Sequence, residues 1–548
     1  MVMPEQGPKA VATGRRAMVS TSHPAVTEAA VAVLRAGGNA VDAMLTAMPL
    51  QTVLEPQMST LAGGFAMLHW EAATRRASYL NANLDHPTGG AIPERNGKET
   101  DGARIGVPGT VAGMRAAAER FGTRPWASYF APAIQAATDG FPMYSFLYGE
   151  MASAYSRLTY YPSGRERYTP NGYLTLVGGT YRQPALADTL ARIAVDDGPE
   201  WFQTGAFARE FAAAVRETGG TMTTDDFAAY APHWDEPLPF RAYGTEMIGA
   251  PPPETGGLFV GFTLGLLERL GLGPEPWRDS PRALALIARA LAEADVMISR
   301  HCADPVAFGV PTDLLLSDEH LEMQARLLEA SMPKVDLSDP TQAADAPPPV
   351  APDAMDPAKT DSNHLVIVDE AGNWVTMLHT VYGSPFGTGL CVRGVGVNTG
   401  NGFAGVNIGP GRRIVTPLTP VLALRDGVPW LALGTPSYPP PYIALVLLNM
   451  LAYGMDPQAA IEAPRFRIDP TQPGPKGLRT GWTAGTLTAE TRIPAETLEG
   501  LRRLGLAVAP LGDFNWHVGS VHLVARDTAT GELRGYADSR RCGYAAGF

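Results

Sequence analysis

Residues 333–360 constrain this chain more than any other stretch. Pro333, Pro340, Pro347, Pro348, Pro349, Pro352 and Pro357 sit among Ala, Asp and Ser, with few large apolar side chains. Such a tract buries too little surface to offset the entropy lost on ordering it. It runs directly into Asp361-Ser362-Asn363, then His364-Leu365-Val366-Ile367-Val368-Asp369, Glu370-Ala371-Gly372-Asn373 and Trp374-Val375-Thr376-Met377-Leu378. The pattern is strand, tight turn, strand, which predicts a β-hairpin. The junction residue therefore has a long loose peptide on its amine side and a buried strand on the other.

The rest of the composition narrows the field. A chain of 548 residues, 45% hydrophobic and 18% charged, is globular and can form one large layered domain or several. The net charge is −12, and the arginine pairs (Arg15-Arg16, Arg75-Arg76, Arg412-Arg413, Arg502-Arg503, Arg540-Arg541) are scattered, so a nucleic-acid partner is disfavoured. Cys302, Cys391 and Cys542 are far apart and odd in number, which encodes neither a disulfide framework nor a cysteine metal site. No apolar leader or membrane-length run is visible, and a cytoplasmic location without a membrane partner is expected. The chain lacks G-x-S-x-G, H-E-x-x-H, Walker A and G-x-G-x-x-G patterns. Serine-triad, metal and nucleotide chemistry are thereby disfavoured, and neither a metal nor a cofactor is expected.

Pro24 to Leu50 predicts two short helices. Val26, Ala29, Ala30, Val33 and Leu34 recur at helical spacing, Gly37-Gly38 stops the first, and Asn39 with Asp42 caps the second. Leu61 to Phe65 is a glycine-rich turn opening into a strand over Ala66 to Trp70. Met114 to about Leu328 reads as mostly helical. It is interrupted by the Tyr-rich stretch from Ser153 to Tyr181 and by Ala250 to Gly257, which is expected to be loop or polyproline.

These segments together resemble the γ-glutamyltransferase family of N-terminal nucleophile hydrolases. The likeness rests on Gly37-Gly38-Asn39-Ala40-Val41-Asp42-Ala43, on Glu55-Pro56 followed by Gly63-Gly64-Phe65, and on Gly106-Val107-Pro108-Gly109-Thr110-Val111-Ala112-Gly113. It rests also on Pro251-Pro252-Pro253 with Gly256-Gly257, on the Asp361 to Asn373 hairpin, and on Phe386-Gly387-Thr388-Gly389. The resemblance implies an α+β fold, a four-layer αββα sandwich. It also implies a precursor that cuts itself between Asp361 and Ser362. Residues 1–361, with the linker at about 333–361, would form a large fragment and 362–548 a small one, together one intertwined domain. The two fragments would form a heterodimer acting on a small molecule, with further dimerisation left open.

The family's usual nucleophile is Thr, and Ser362 stands in that place. Its hydroxyl lacks the methyl that restricts χ1, so slower or incomplete cutting is expected. A hydroxyl needs a base, and a freed α-amine, with a reference pKa of about 7.7–8.0, is one. By the same resemblance Thr380 would hydrogen-bond the nucleophile, although an ordinary strand Thr reads equally well there. The family's oxyanion Gly-Gly pair falls on Ser437-Tyr438 within Gly434 to Pro441, where a simple proline turn is the alternative.

The groups that hold a γ-glutamyl substrate fail to match. The Arg falls near Ile92, with Arg95 and Arg104 displaced from it, and the Ser-Ser pair falls on Thr416-Pro417. The Asn falls on or near Tyr382, and Asn398 to Phe403 replaces the acidic run. Candidate substrate contacts are His86, Tyr382, Asn401 and Thr416, with Tyr438 and Phe403 adding aromatic character. The expected activity is hydrolysis of an amide, or of an activated acyl C–C bond, through an acyl-enzyme on Ser362. The competing readings are a genuine γ-glutamyl hydrolase or transferase, and an uncut homologue with a binding or scaffold role.

Overall fold

A computed structural model describes residues 3–89, 100–344, 362–400, 409–470 and 485–548. Alternating apolar strands build two facing sheets. In chain order they are β1 (Ala12–Gly14), β2 (Met18–Thr21), β3 (Gly64–Glu71), β4 (Arg76–Ala82), β5 (His233–Asp235), β6 (Leu238–Ala242) and β7 (Thr245–Gly249). Then come β8 (Asn363–Val368), β9 (Trp374–Thr380), β10 (Val421–Arg425), β11 (Val428–Gly434), β12 (His522–Arg526), β13 (Leu533–Ala537) and β14 (Tyr544–Gly547). Among the described residues one sheet runs β14-β2-β8-β9-β3-β4-β5 and the other β1-β13-β12-β11-β10-β7-β6.

The expected hairpin is β8 and β9, paired antiparallel from Asn363 opposite His379 to Val368 opposite Trp374. β8 also pairs with β2, and β9 with β3, so the hairpin lies inside its sheet with no free edge. Side-chain alternation then assigns faces. Leu365 and Ile367 enter an apolar cluster with the helices α1 (Pro24–Arg35) and α2 (Ala40–Leu54). Val366 and Val368 enter a second cluster between the sheets, with Leu422 and Ala432 of the opposite sheet. A third cluster joins that sheet to α3 (Gly256–Leu270), α4 (Pro281–His301) and α5 (Pro439–Leu451). Helices, sheet, sheet and helices make the expected four-layer αββα sandwich.

Other expectations hold locally. Asn39 and Asp42 form a reciprocal capping box at the start of α2. Three readings are corrected. The stretch taken as mostly helical also contains β5, β6 and β7, strands of three to five residues, too short to stand out from the helices around them. The Tyr-rich interruption holds two short helices, Tyr155–Leu158 and Pro162–Tyr168, the second started by a proline at its first position. Gly256 and Gly257 are helical, not loop, because α3 packs so close to Leu418, Thr419 and Ala250 that a Cβ at either glycine would collide with their backbone.

Ile367 is fully buried against the α1–α2 layer. Ile367→Ala is expected to cost about 2–5 kcal/mol, read as a lower urea midpoint with an unchanged m-value.

Candidate active site

The register of the hairpin builds the site. With Asn363 opposite His379, the next residue outward, Ser362, falls opposite Thr380, and Thr380 pairs with Gly64 of β3. Phe65 pairs with Ala82, so Gly64 falls opposite Asn83. Ser362, Thr380, Gly64 and Asn83 therefore make one row across four strands, each about 4.8 Å from the next. The alternation that sends Val366, Leu378, Leu68 and Tyr79 between the sheets sends this row the same way. Close approach is required here: a Cβ on Gly63 would lie 2.1 Å from the Thr380 carbonyl oxygen.

Ser362 is 3% exposed, and its hydroxyl has no hydrogen-bond partner among the described residues. Thr380 Oγ1 accepts the Tyr382 amide at 2.9 Å. Tyr382 sits at φ +59°, outside the usual region for a side-chain-bearing residue. Its carbonyl accepts from Thr399 Oγ1 at 2.7 Å, and its hydroxyl bonds Asn83 Oδ1.

The opposite sheet closes over this row at Gly434. A Cβ there would lie 2.4 Å from His364 Nε2, so the sheets meet with imidazole against bare backbone. The chain then turns through Thr435-Pro436-Ser437-Tyr438 into α5, whose first three residues are Pro439, Pro440 and Pro441. Proline has no N–H, so between Pro436 and Pro441 only Ser437 and Tyr438 carry amide donors. They stand at the N-terminal, positive end of a 13-residue helix. The Tyr438 hydroxyl goes to Asp295 Oδ1 on α4, 2.5 Å away.

Beyond Asn83 lies a buried polar group that the sequence did not single out. Glu254, in the loop after β7, accepts from Asn81 Nδ2 at 3.1 Å and from Asn83 Nδ2. Burial pushes its carboxyl up to about 8, more than the neighbouring Arg413 charge pulls it down. Glu254 bridges to Thr416, whose buried hydroxyl has no partner among the described residues. Arg413 is occupied by the protein: Nε pairs with Asp85 at 2.7 Å, Nη1 donates to Asn83 O and the Tyr230 hydroxyl, and Nη2 donates to Ala231 O. His86 is tied to the same segment through its amide, which donates to Arg412 O at 2.8 Å. Arg104 is buried in a short 3₁₀ turn, Gly102–Arg104. Asp361, Asn401, Phe403, Ile92 and Arg95 lie outside the described residues.

A second polar chain anchors Asn363, the residue after Ser362, from the helix side. The Ser22 hydroxyl lies 2.8 Å from Glu55 Oε2, 2.9 Å from Asn363 Oδ1 and 2.9 Å from Gln51 Nε2. Asn363 Nδ2 donates to Ser59 Oγ, which leaves its Oδ1 as an acceptor. Ser22 has one proton and two acceptors unless Glu55 carries a proton of its own. Burial supplies the reason: it pushes the Glu55 carboxyl up to about 7, against the Ser22 and Gln51 hydrogen bonds and the Arg541 charge. Burial likewise holds His379 at about 3 and His86 at about 4, and burial with His522 beside it holds His364 well below the usual imidazole range. These imidazoles are neutral and weakly basic.

The Gamma-glutamyltranspeptidase family profile matches residues 26–548. The chain belongs to this family. It is 29% identical to the glutathione hydrolase proenzyme of Bacillus subtilis strain 168, over 98% of this chain and 92% of that protein. It is also 29% identical to the acylase ACY 1 proenzyme of Pseudomonas sp. strain SE83, over 90% and 87%. The crystal structure of cephalosporin acylase from Bacillus halodurans superposes with a TM-score of 0.84 at 25% identity, covering 100% of this chain and 98% of that one. The chain is accordingly an enzyme, a hydrolase of the γ-glutamyltransferase type with the N-terminal nucleophile fold. No helix among the described residues is long and apolar enough to cross a membrane, and no group of three metal-ligating side chains occurs among them.

The structure brings Ser362, Thr380 and Tyr382 to one end of the sandwich, with the Ser437 turn above them and Thr416 beside Glu254. Sequence reading missed Glu254, Glu55 and Arg541. Glu254 was visible only as the residue after three prolines, and Glu55 only as the first residue of Glu55-Pro56. For Glu55 the raised folded pKa means that the native state keeps a proton the unfolded chain releases. Stability from this group is present below about pH 4.5 and is lost as pH rises toward 7. Glu55→Gln, which mimics the protonated acid, is expected to remove that loss. Its unfolding free energy should gain on the parent by on the order of 3 kcal/mol between pH 4.5 and 8, measured by urea titration.

Proposed function

We propose that this enzyme is a self-cleaving amide hydrolase of the acylase kind, with Ser362 as nucleophile, Asp361/Ser362 as the cut, and 1–361 and 362–548 as its paired fragments. The carrying observation is the Ser362 hydroxyl: buried, without a partner among the described residues, and at the start of a strand paired on both sides. In the first reaction that hydroxyl attacks the Asp361 carbonyl, the peptide shifts from N to O, and water hydrolyses the ester. The freed amine of Ser362 is then the base. The imidazoles closest to Ser362 in sequence and register are too weakly basic to compete, whereas a free α-amine titrates near neutrality.

In the second reaction the amine takes the hydroxyl proton as Ser362 Oγ attacks the substrate carbonyl. The Ser437 and Tyr438 amides stabilise the developing oxyanion, and Thr380 orients the nucleophile. The proton passes to the departing amine, leaving an ester on Ser362. Water, deprotonated by the same amine, releases the acid.

For the acyl group we favour one without a free α-amino acid head. Arg413, the buried arginine nearest Glu254, spends its donors on the protein itself, and a buried carboxylate without a bidentate partner costs several kcal/mol. His86, Tyr382, Asn401 and Thr416 would line the acyl pocket. The likeness to acylases over nearly the whole chain supports this reading. The three cysteines are all free and buried, which suits a cytoplasmic setting.

The purified chain is expected to yield two fragments, the smaller beginning Ser-Asn-His-Leu on Edman sequencing. Ser362→Ala should remain full length, and Ser362→Thr should cut at least as fast as the parent. A parent chain that stays intact on prolonged incubation refutes the proposal and favours a scaffold role. Among p-nitroanilides, glutaryl and phenylacetyl substrates should be hydrolysed at least tenfold faster than γ-glutamyl; the reverse order refutes the acyl assignment.

A further inference from the structure

The Ser437 turn carries an anchor that the reading above does not need and that nothing so far explains. Pro436 has a locked φ, and Tyr438 is held extended, at φ −92° and ψ 89°, by the proline that follows it. The reversal of the chain therefore falls on Ser437, which takes φ +79°. That conformation is free for glycine and strained for serine. The Arg541 side chain reaches the strained residue. Arg541 Nη2 donates to Ser437 Oγ at 2.8 Å, and this guanidinium, 1% exposed, also donates through Nε to Trp516 O at 3.2 Å and packs over the Trp516 ring.

Arg541 arrives from beyond β13, whose last residue Ala537 pairs with His522, itself the partner of Gly434. The two segments thus leave the same end of one sheet, two strands apart. Burying a guanidinium is costly unless its donors are used. Here one of them is used on the Ser437 hydroxyl, while the Thr435 hydroxyl donates to Pro436 O at 3.1 Å on the other side of the reversal.

We propose that Arg541 is a positioning residue. Its bond to Ser437 Oγ holds the oxyanion turn in the conformation that a glycine would reach unaided, and it sets a fixed positive charge behind the Ser437 and Tyr438 amides. Serine at 437 and arginine at 541 are then a coupled pair: the hydroxyl is the handle, and the guanidinium the hand. The inference rests on the proposed oxyanion role of these amides. It predicts that the pair matters for the rate of the chemical step and not for substrate binding.

The test is steady-state hydrolysis of glutaryl- and phenylacetyl-p-nitroanilide by the processed protein. Ser437→Ala, which keeps the Cβ and removes the handle, should lower kcat at least tenfold with KM within threefold. Arg541→Met should do the same. Adding Ser437→Gly to Arg541→Met should recover at least fivefold of the lost kcat, because the glycine no longer needs holding. A Ser437→Ala enzyme within threefold of the parent kcat overturns the proposal. So does a double variant no better than Arg541→Met, the pattern of a merely structural arginine. Should Arg541→Met fail to fold, the Ser437→Ala result decides alone. Ser362→Ala run in parallel separates the two readings: if it retains turnover, the nucleophile assignment fails, while the comparison at 437 and 541 still stands on its own rates.

Discussion

The contact between the His364 imidazole and the bare backbone of Gly434 sets the geometry of everything at this end of the sandwich. Two sheets with ordinary side chains facing each other stand about 10 Å apart. Here a ring from one sheet touches the main chain of the other, and a single Cβ at 434 would force them apart. Ser362 lies two residues before that contact along β8 and Ser437 three residues after it beyond β11. The hydroxyl and the two amides are therefore placed by the same pinch. His364 is in turn fixed by Thr376 Oγ1, 2.8 Å from its Nε2, and by stacking on His522, so the pinch is braced from both sheets.

The second constraint is lateral. A strand paired on one side frays at its end; β8 is paired with β9 from Asn363 to Val368 and with β2 from Leu365 to Val368. A chain cut just before such a strand loses no ladder hydrogen bond. On the proposed cut, the β9 pairing would hold the freed amine at the start of a fixed strand. The cost appears elsewhere, as buried carboxyls at Glu55 and Glu254 that the fold holds near neutrality instead of ionising. Both are bound by amide or hydroxyl groups, which lowers the penalty of burying them without bringing in a full charge.

Much of the architecture was legible along the chain. The hairpin was readable because Leu365 to Val368 and Trp374 to Leu378 are bounded by Gly372-Asn373 and by the loose tract before Ser362. The capping box of α2 was readable because Asn39 and Asp42 have the right spacing. The strands β5, β6 and β7 were not. Leu238, Phe240 and Ala242 do alternate with Pro239 and Arg241, but five residues of period two do not outweigh the helical periodicity on either side. Of the site, Ser362, Thr380 and the Ser437 turn were visible through family likeness, since motif order survives when side chains change. Arg541 and Glu254 were not, because each acts on residues more than a hundred positions away.

What the sequence determined by itself is the junction: a proline-rich, apolar-poor stretch, whose described residues up to 344 are held by Arg503, leading to a hydroxyl that opens a buried strand. Composition and periodicity are local, and they decide where a strand begins and which of its faces is apolar. What the tertiary structure alone decided is the company that hydroxyl keeps. The row from Ser362 through Thr380 and Gly64 to Asn83 depends on the register of four strands. The left-handed turn at Ser437 depends on a guanidinium from the far end of the chain. Register and long-range side-chain contacts are settled only when the whole sandwich packs, because only then do the two sheets agree on a common distance.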